Sequence, residues 1–166
     1  MGATKAEADQ GVQLMGLGDF ESSFASQMAG NIMIQLRTMP VGFRIDDWIW
    51  SDFPKLRDQQ RIAILRQLQE NNSSLSPETR SKFPKPLITA NATMNAAFAA
   101  VWAEKFAEKR LFLPFRMAGY EPKAQALLGA LEGVSTEPVN DRLIISRWAE
   151  ILGLSSMFHF QPHTLS

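Results

Sequence analysis

LRTMPVGFRIDDWIW, residues 36–50, holds a proline, a glycine, two aspartates and two tryptophans, and its reading decides how the front half of the chain is laid out. Upstream, Asp19 opens a helix in which Phe20, Phe24, Met28, Ile32 and Leu36 recur every four residues, with Ala25, Ala29 and Met33 beside them. That spacing is an apolar stripe over about five turns. Pro40 has no N–H to donate and Gly42 costs backbone entropy, so the pair predicts a stop. Phe43 to Ile45 then reads as a short extended stretch. Asp46 reads as the N-cap of a new helix, its carboxylate accepting a backbone N–H one turn on, and Asp47 adds favourable charge at that positive end. Trp48 and Trp50 diverge by about 200° on a helix, so one enters the core and the other sits at an edge or meets a partner. Pro54 closes the element. The carboxylates of Asp46, Asp47 and Asp52 are oxygen ligands of the kind magnesium takes. Neither a histidine nor a regular ligand spacing accompanies them, and helix capping accounts for the first two.

Further along, Lys55 to Asn71 forms a helix with Ile62, Ile64, Leu65 and Leu68 as its apolar arc. Arg57 and Arg61 share a face one turn apart, whereas Arg66 points elsewhere. Ser76 is placed to cap a short helix with Pro77 at its first position and Glu78 in its first turn. KFPKP ends that helix in an extended, basic linker, the best boundary between two regions. The predicted organisation is an arm over residues 1–18, an N-terminal helical region over 19–85 and a C-terminal helical region over 86–166. In the last, Thr93 to Leu111 carries Met94, Ala97, Phe98, Val101, Trp102 and Phe106 on one side. LPFRMAGYEP is a break, Pro122 starts a helix through Leu127, Leu128 and Leu131, and Asp141 caps a final helix that Gly153 ends. The tail after it is short and aromatic. Strand signals are sparse, no repeat of fixed period is present, and the fold class is mainly α, with six or seven helices.

Composition agrees with a folded chain: 166 residues, 45% hydrophobic, 20% charged and no cysteine. Without cysteine there is no disulfide, thiolate metal site or cysteine nucleophile. No basic leader precedes an apolar core, Ala6 stands where a myristoylation site prefers Ser or Thr, and no apolar run reaches the roughly 20 residues that span a bilayer. A cytoplasmic protein without a membrane anchor is the expectation. The net charge is zero, yet residues 1–52 hold seven acidic against three basic residues, and residues 53–85 reverse that ratio. An acidic front and a basic middle either pair with each other or steer an anion to the middle.

Catalytic signals are poor. His159 and His163 are four apart, but Pro162 between them argues against a helical zinc pair. The chain has neither GxxxxGK[ST] nor GxGxxG nor GxSxG. Gly16 and Gly18 precede a helix and are weak evidence for an anion site. The expectation is a protein that is not an enzyme and takes no cofactor. Two stretches resemble DNA-binding fragments. In the first, a helix to Met39, a Pro–Gly turn, a short helix from Asp46 and the Arg57–Arg61 helix make a winged-helix-like N-terminal half, with Arg80 to Lys85 where a wing would be. In the second, Ala149 and Gly153 have helix-turn-helix spacing, but His159 and Pro162 spoil the second helix.

In length and layout, with its Met- and Phe-rich front helix and winged-helix-like core, the chain resembles the small replication accessory proteins of temperate tailed phages that load or recruit a host replicative helicase. The resemblance implies a non-catalytic adaptor in the host cytoplasm. It implies partner contacts at Phe20, Phe24, Met28, Trp48 and Trp50. It also implies phosphate contacts at Arg57, Arg61, Arg80, Lys82 and Lys85, with weak, salt-sensitive DNA binding at most. Lacking a phosphate loop, such an adaptor would draw its energy from differential binding of two helicase states. The rival expectations are a DNA-binding transcription regulator and a self-assembling virion subunit.

Overall fold

In the computed structural model the described residues are 19–157, with side chains described for 26–157. They form seven α-helices joined by 3₁₀ turns, without a strand: α1 (Asp19–Asp52), α2 (Arg57–Asn71), α3 (Pro77–Lys82), α4 (Lys85–Lys105), α5 (Leu113–Met117), α6 (Glu121–Gly129) and α7 (Asp141–Leu152). The mainly α class with six to seven helices is thus present. None of the described helices is long and apolar enough to cross a membrane.

The largest departure from expectation is α1. It does not stop at Pro40 and Gly42 but continues for 34 residues with Pro40 inside it. Residues 43–45 are helical, and Asp46 is a mid-helix residue rather than an N-cap. An interior proline costs about 3 kcal/mol. Burial outweighs that cost. Ala29, Ile32, Leu36, Pro40 and Phe43 are all buried, and they fall on one face only if the helix runs on. Burying Phe43 and Leu36 alone is worth about 1.5–3 kcal/mol each. The Pro–Gly turn required by the winged-helix-like arrangement is therefore not formed.

Helix α4 is the axis of the molecule. From Leu87 to Ala103 nearly every residue is buried, including Thr93 and Asn95. Its alanines let α1, α2 and α6 approach closely, while α7 packs on α1 and α6. It starts at Lys85, eight residues before the predicted start at Thr93, because Pro84-Lys85-Pro86 serves as a helix entrance rather than an extended linker. It ends at Lys105, short of the predicted Leu111, where Ala107 takes a left-handed conformation (φ 53°). The amides of Ala107 and Glu108 return to the carbonyls of Glu104 and Ala103 at 3.0 and 2.9 Å, closing a Schellman motif. The break that follows contains α5.

The other termini follow the sequence more closely. Ser76 Oγ accepts the Thr79 amide at 3.1 Å, the cap expected of it. Gly153 (φ 71°) ends α7 with a second Schellman motif, Leu154 N–H reaching the Ala149 carbonyl at 2.7 Å. Asp141 makes no capping hydrogen bond, correcting the cap assigned to it. It pairs instead with Arg44, whose guanidinium also donates to the Ser135 carbonyl at 3.4 Å and so fastens the front of α7 to α1. Ile62, placed in the apolar arc of α2, points outward, while Ile64 and Leu68 are buried. A single core draws on both the 19–85 and 86–157 regions.

Candidate functional site

Because α1 is continuous, it presents two faces. The inner face carries Ala29, Ile32, Leu36 and Phe43. On a helix turning 100° per residue, Ile34, Thr38, Val41, Ile45, Trp48 and Asp52 fall within an arc of about 80° diametrically opposite. Four of those six are apolar where a solvent-facing stripe would be polar. Ile34 is 61% exposed, Ile45 50% and Trp48 55%, while Val41 is half-buried. Thr38 turns its hydroxyl onto the Ile34 carbonyl at 2.9 Å, so its methyl completes the row.

The row ends in an aromatic elbow. Trp48 meets Phe53 edge-on at 5.0 Å between ring centroids, and Phe53 and Leu56 are both exposed in the turn to α2. Trp50 takes the other role foreseen for the pair. It packs at 5.6 Å on Trp102 and 5.3 Å on Phe106, inside an aromatic column that continues through Phe98 and Phe43 to Trp148. Of the expected partner contacts, Trp48 alone is described as exposed. Met28 is half-buried against the core, and the side chains of Phe20 and Phe24 lie outside the described residues. Ile34, Val41, Ile45, Phe53 and Leu56 were missed. Their signal, a seven-residue spacing from Ile34 through Val41 to Trp48, is in the sequence but is cut in two by a break assumed at Pro40.

The expected phosphate contacts fall into two groups. Arg57 donates to the Trp50 carbonyl at 2.8 Å and lies over its ring. Arg61 covers the Phe106 ring at 4.5 Å and pairs with Glu108. Both therefore sit at the C-terminal end of α4. Arg80 donates to the Tyr120 hydroxyl at 3.2 Å, Lys82 pairs with Glu78, and Lys85 is exposed at the N-terminal end of α4. The 21 residues of α4 separate the groups by about 30 Å.

Asp46, Asp47 and Asp52 do not converge. Asp47 pairs with Lys105, Asp52 is exposed, and Asp46 lines a cleft of about 240 Å³ with Gln35, Thr38, Gln67 and Asn71. Among the described residues no three His, Asp or Glu side chains gather in a way that could hold a metal ion. Desolvation pushes the Asp46 carboxyl above the usual range. The Gln60 amide opposes that shift; it donates to the Asp46 backbone carbonyl at 2.9 Å. A second cleft, about 370 Å³, is lined by Gln27, Asn31, Ser73 and Asn91. The Asn91 amide donates to Gln35 at 2.8 Å and Gln35 donates to Asn95 at 2.8 Å, so a ladder of amides ties the two linings together. No protein-family model matches the chain, and no curated protein or solved structure matches it either.

Proposed function

We propose that this chain is a non-catalytic adaptor that works by docking another protein onto the outer face of α1, with Trp48 at the centre of the contact. The observation that carries the reading is a half-exposed indole standing on a second exposed aromatic ring, Phe53, at the end of an apolar row. Isolated surface hydrophobics need no explanation, but a contiguous row is the surface of an interaction site. Tryptophan is also the residue type most enriched among those that dominate binding energy. The resemblance to phage replication accessory proteins supplies the partner to try first, a host replicative helicase.

The test is direct binding of purified hexameric bacterial replicative helicase to the immobilised full chain. Binding is expected to be saturable, and Trp48→Ala is expected to weaken it about 30-fold, the loss of a hot spot worth about 2 kcal/mol. Trp48 is exposed, so the variant keeps its fold, which circular dichroism checks. Absence of binding by the wild-type chain would remove the helicase. Undiminished binding by Trp48→Ala would remove the surface.

A further inference from the structure

The cleft between α1 and α2 holds a carboxylate that no cation meets. Asp46 lines it with Gln35, Thr38, Gln67 and Asn71, and Gly42 contributes no side chain to fill it. No Lys or Arg among the described residues forms an ion pair with Asp46. Arg44 is engaged with Asp141, Lys105 with Asp47, Arg61 with Glu108, and Arg57 with the Trp50 carbonyl. Two amide atoms nearby are buried without a partner among the described residues, Oε1 of Gln60, which donates to the Asp46 carbonyl, and Nδ2 of Asn71 on the lining. Terminal amide torsions are soft, so either amide can turn toward a bound group. Buried polar atoms without partners call for an explanation, and a carboxylate that loses solvent in a cleft is where binding sites are found. Asparagine at 46 would fill the same space without the desolvated charge.

We infer that this cleft is a binding site for a guanidinium group, with Asp46 as its counter-charge and the amides of Gln60, Gln67 and Asn71 around it. A lone carboxylate among neutral amides calls for one positive charge with several N–H donors. A divalent metal would need more oxygen ligands, and among the described residues no set of His, Asp or Glu supplies them. Between the organic cations, guanidinium is more weakly hydrated than ammonium and enters a partly dry site at lower cost. Its flat fork also meets both carboxylate oxygens and keeps N–H groups for the amide oxygens. The cleft, about 240 Å³, is far larger than the roughly 30 Å³ that one water occupies in the liquid, so a group of several heavy atoms fits. Thr38 belongs both to this cleft and to the outer row of α1. The group can therefore come from an arginine of a docked protein or from a free guanidino compound. The site itself does not rest on the docking of a protein at Trp48.

The test is a titration of the isotope-labelled full chain with Nα-acetyl-L-arginine amide, followed by nuclear magnetic resonance of the side-chain amides. The signals of Gln60, Gln67 and Asn71 are expected to shift and saturate, with a dissociation constant on the order of 1 mM for a single half-solvated ion pair. The citrulline counterpart has the same shape without the charge and should bind about tenfold more weakly or worse. The lysine counterpart should bind about threefold more weakly, its ammonium being harder to dehydrate. Asp46→Asn should abolish the shifts at Gln67 and Asn71. Gly42→Leu should do so with the charge still in place, since a Cβ there meets no heavy atom within 4 Å and the added side chain takes up the open space. Circular dichroism checks the fold of both variants, and the comparison of arginine with citrulline needs neither. Absence of shifts in wild type at about ten times the expected constant overturns the site. So do equal shifts with the citrulline derivative, or shifts undiminished in a folded Asp46→Asn. The source is read separately. If the arginine derivative and Asp46→Asn each lower helicase binding, the group belongs to a docked protein. If helicase binding is absent or unaffected while the titration follows the pattern above, the ligand is a free guanidino compound and the site stands without the adaptor.

Discussion

The environment of Asp46 works against its charge. Its carboxyl loses solvent between α1 and α2 and gains no cation in return, so its pKa rises above 3.8 on folding. Between 3.8 and the raised value the folded chain binds more protons than the unfolded chain. Stability therefore falls as the pH rises through that window and stays lowered above it. Asp46→Asn removes the liability. It should raise the urea midpoint at pH 7, and the gain should vanish once the pH falls below the unfolded value of 3.8. A variant no more stable than wild type at pH 7 would show that the carboxylate is solvated well enough to carry its charge without cost. The sequence pointed to this residue for another reason. An aspartate after a proline and a glycine has the look of a cap, and its actual surroundings, Gln60, Gln67 and Asn71, come from a helix a turn away.

At the scale of the elements, two helices show where local signals hold and where they fail. Helix α1 carries a strong stop signal and runs through it, because the burial of residues on both sides of Pro40 depends on its continuity. Helix α4 carries no stop signal and ends anyway, because Ala107 occupies the left-handed position where glycine normally sits. That conformation costs an L-residue about 1–2 kcal/mol. Ala107→Gly should relieve it, with part of the gain lost to the greater freedom of glycine in the unfolded chain. A net stabilisation of about 0.5–1 kcal/mol is expected in chemical denaturation. A destabilised Ala107→Gly would mean that the methyl group is worth more in packing than the backbone strain it causes. Where ends were marked by residues that act locally, as at Ser76 with Pro77 and at Gly153, they were legible. The periodic apolar positions of α4 and α7 were legible too: Phe98, Trp102, Ile144 and Trp148 are all buried. The exposed apolar row on the outer face of α1 was not, since it exists only on a helix whose continuity is decided by tertiary packing.

For the whole molecule, the aromatic column decides how parts communicate. Phe43 of α1 stacks on Phe98 of α4 at 5.9 Å and meets Trp148 of α7 edge-on at 5.7 Å, and Trp148 Nε1 donates to the Leu127 carbonyl of α6 at 2.9 Å. Residues far apart in the chain thus share one set of contacts. Thermal unfolding followed by tryptophan fluorescence and by far-ultraviolet circular dichroism should give coincident midpoints, as one cooperative unit requires. Two separated transitions would mean that the front and back regions hold together independently. The same distribution of aromatic rings gives the chain an optical property. Trp102 and Trp148 are fully buried and Trp50 is partly so, leaving Trp48 as the indole most open to solvent, on the outer face of α1. Red-shifted emission and collisional quenching by acrylamide or iodide should come mostly from that single residue. The molecule thus carries its own lamp at the spot where a visitor would land, dimmed by a quencher while the place is empty and shielded from it once the place is taken.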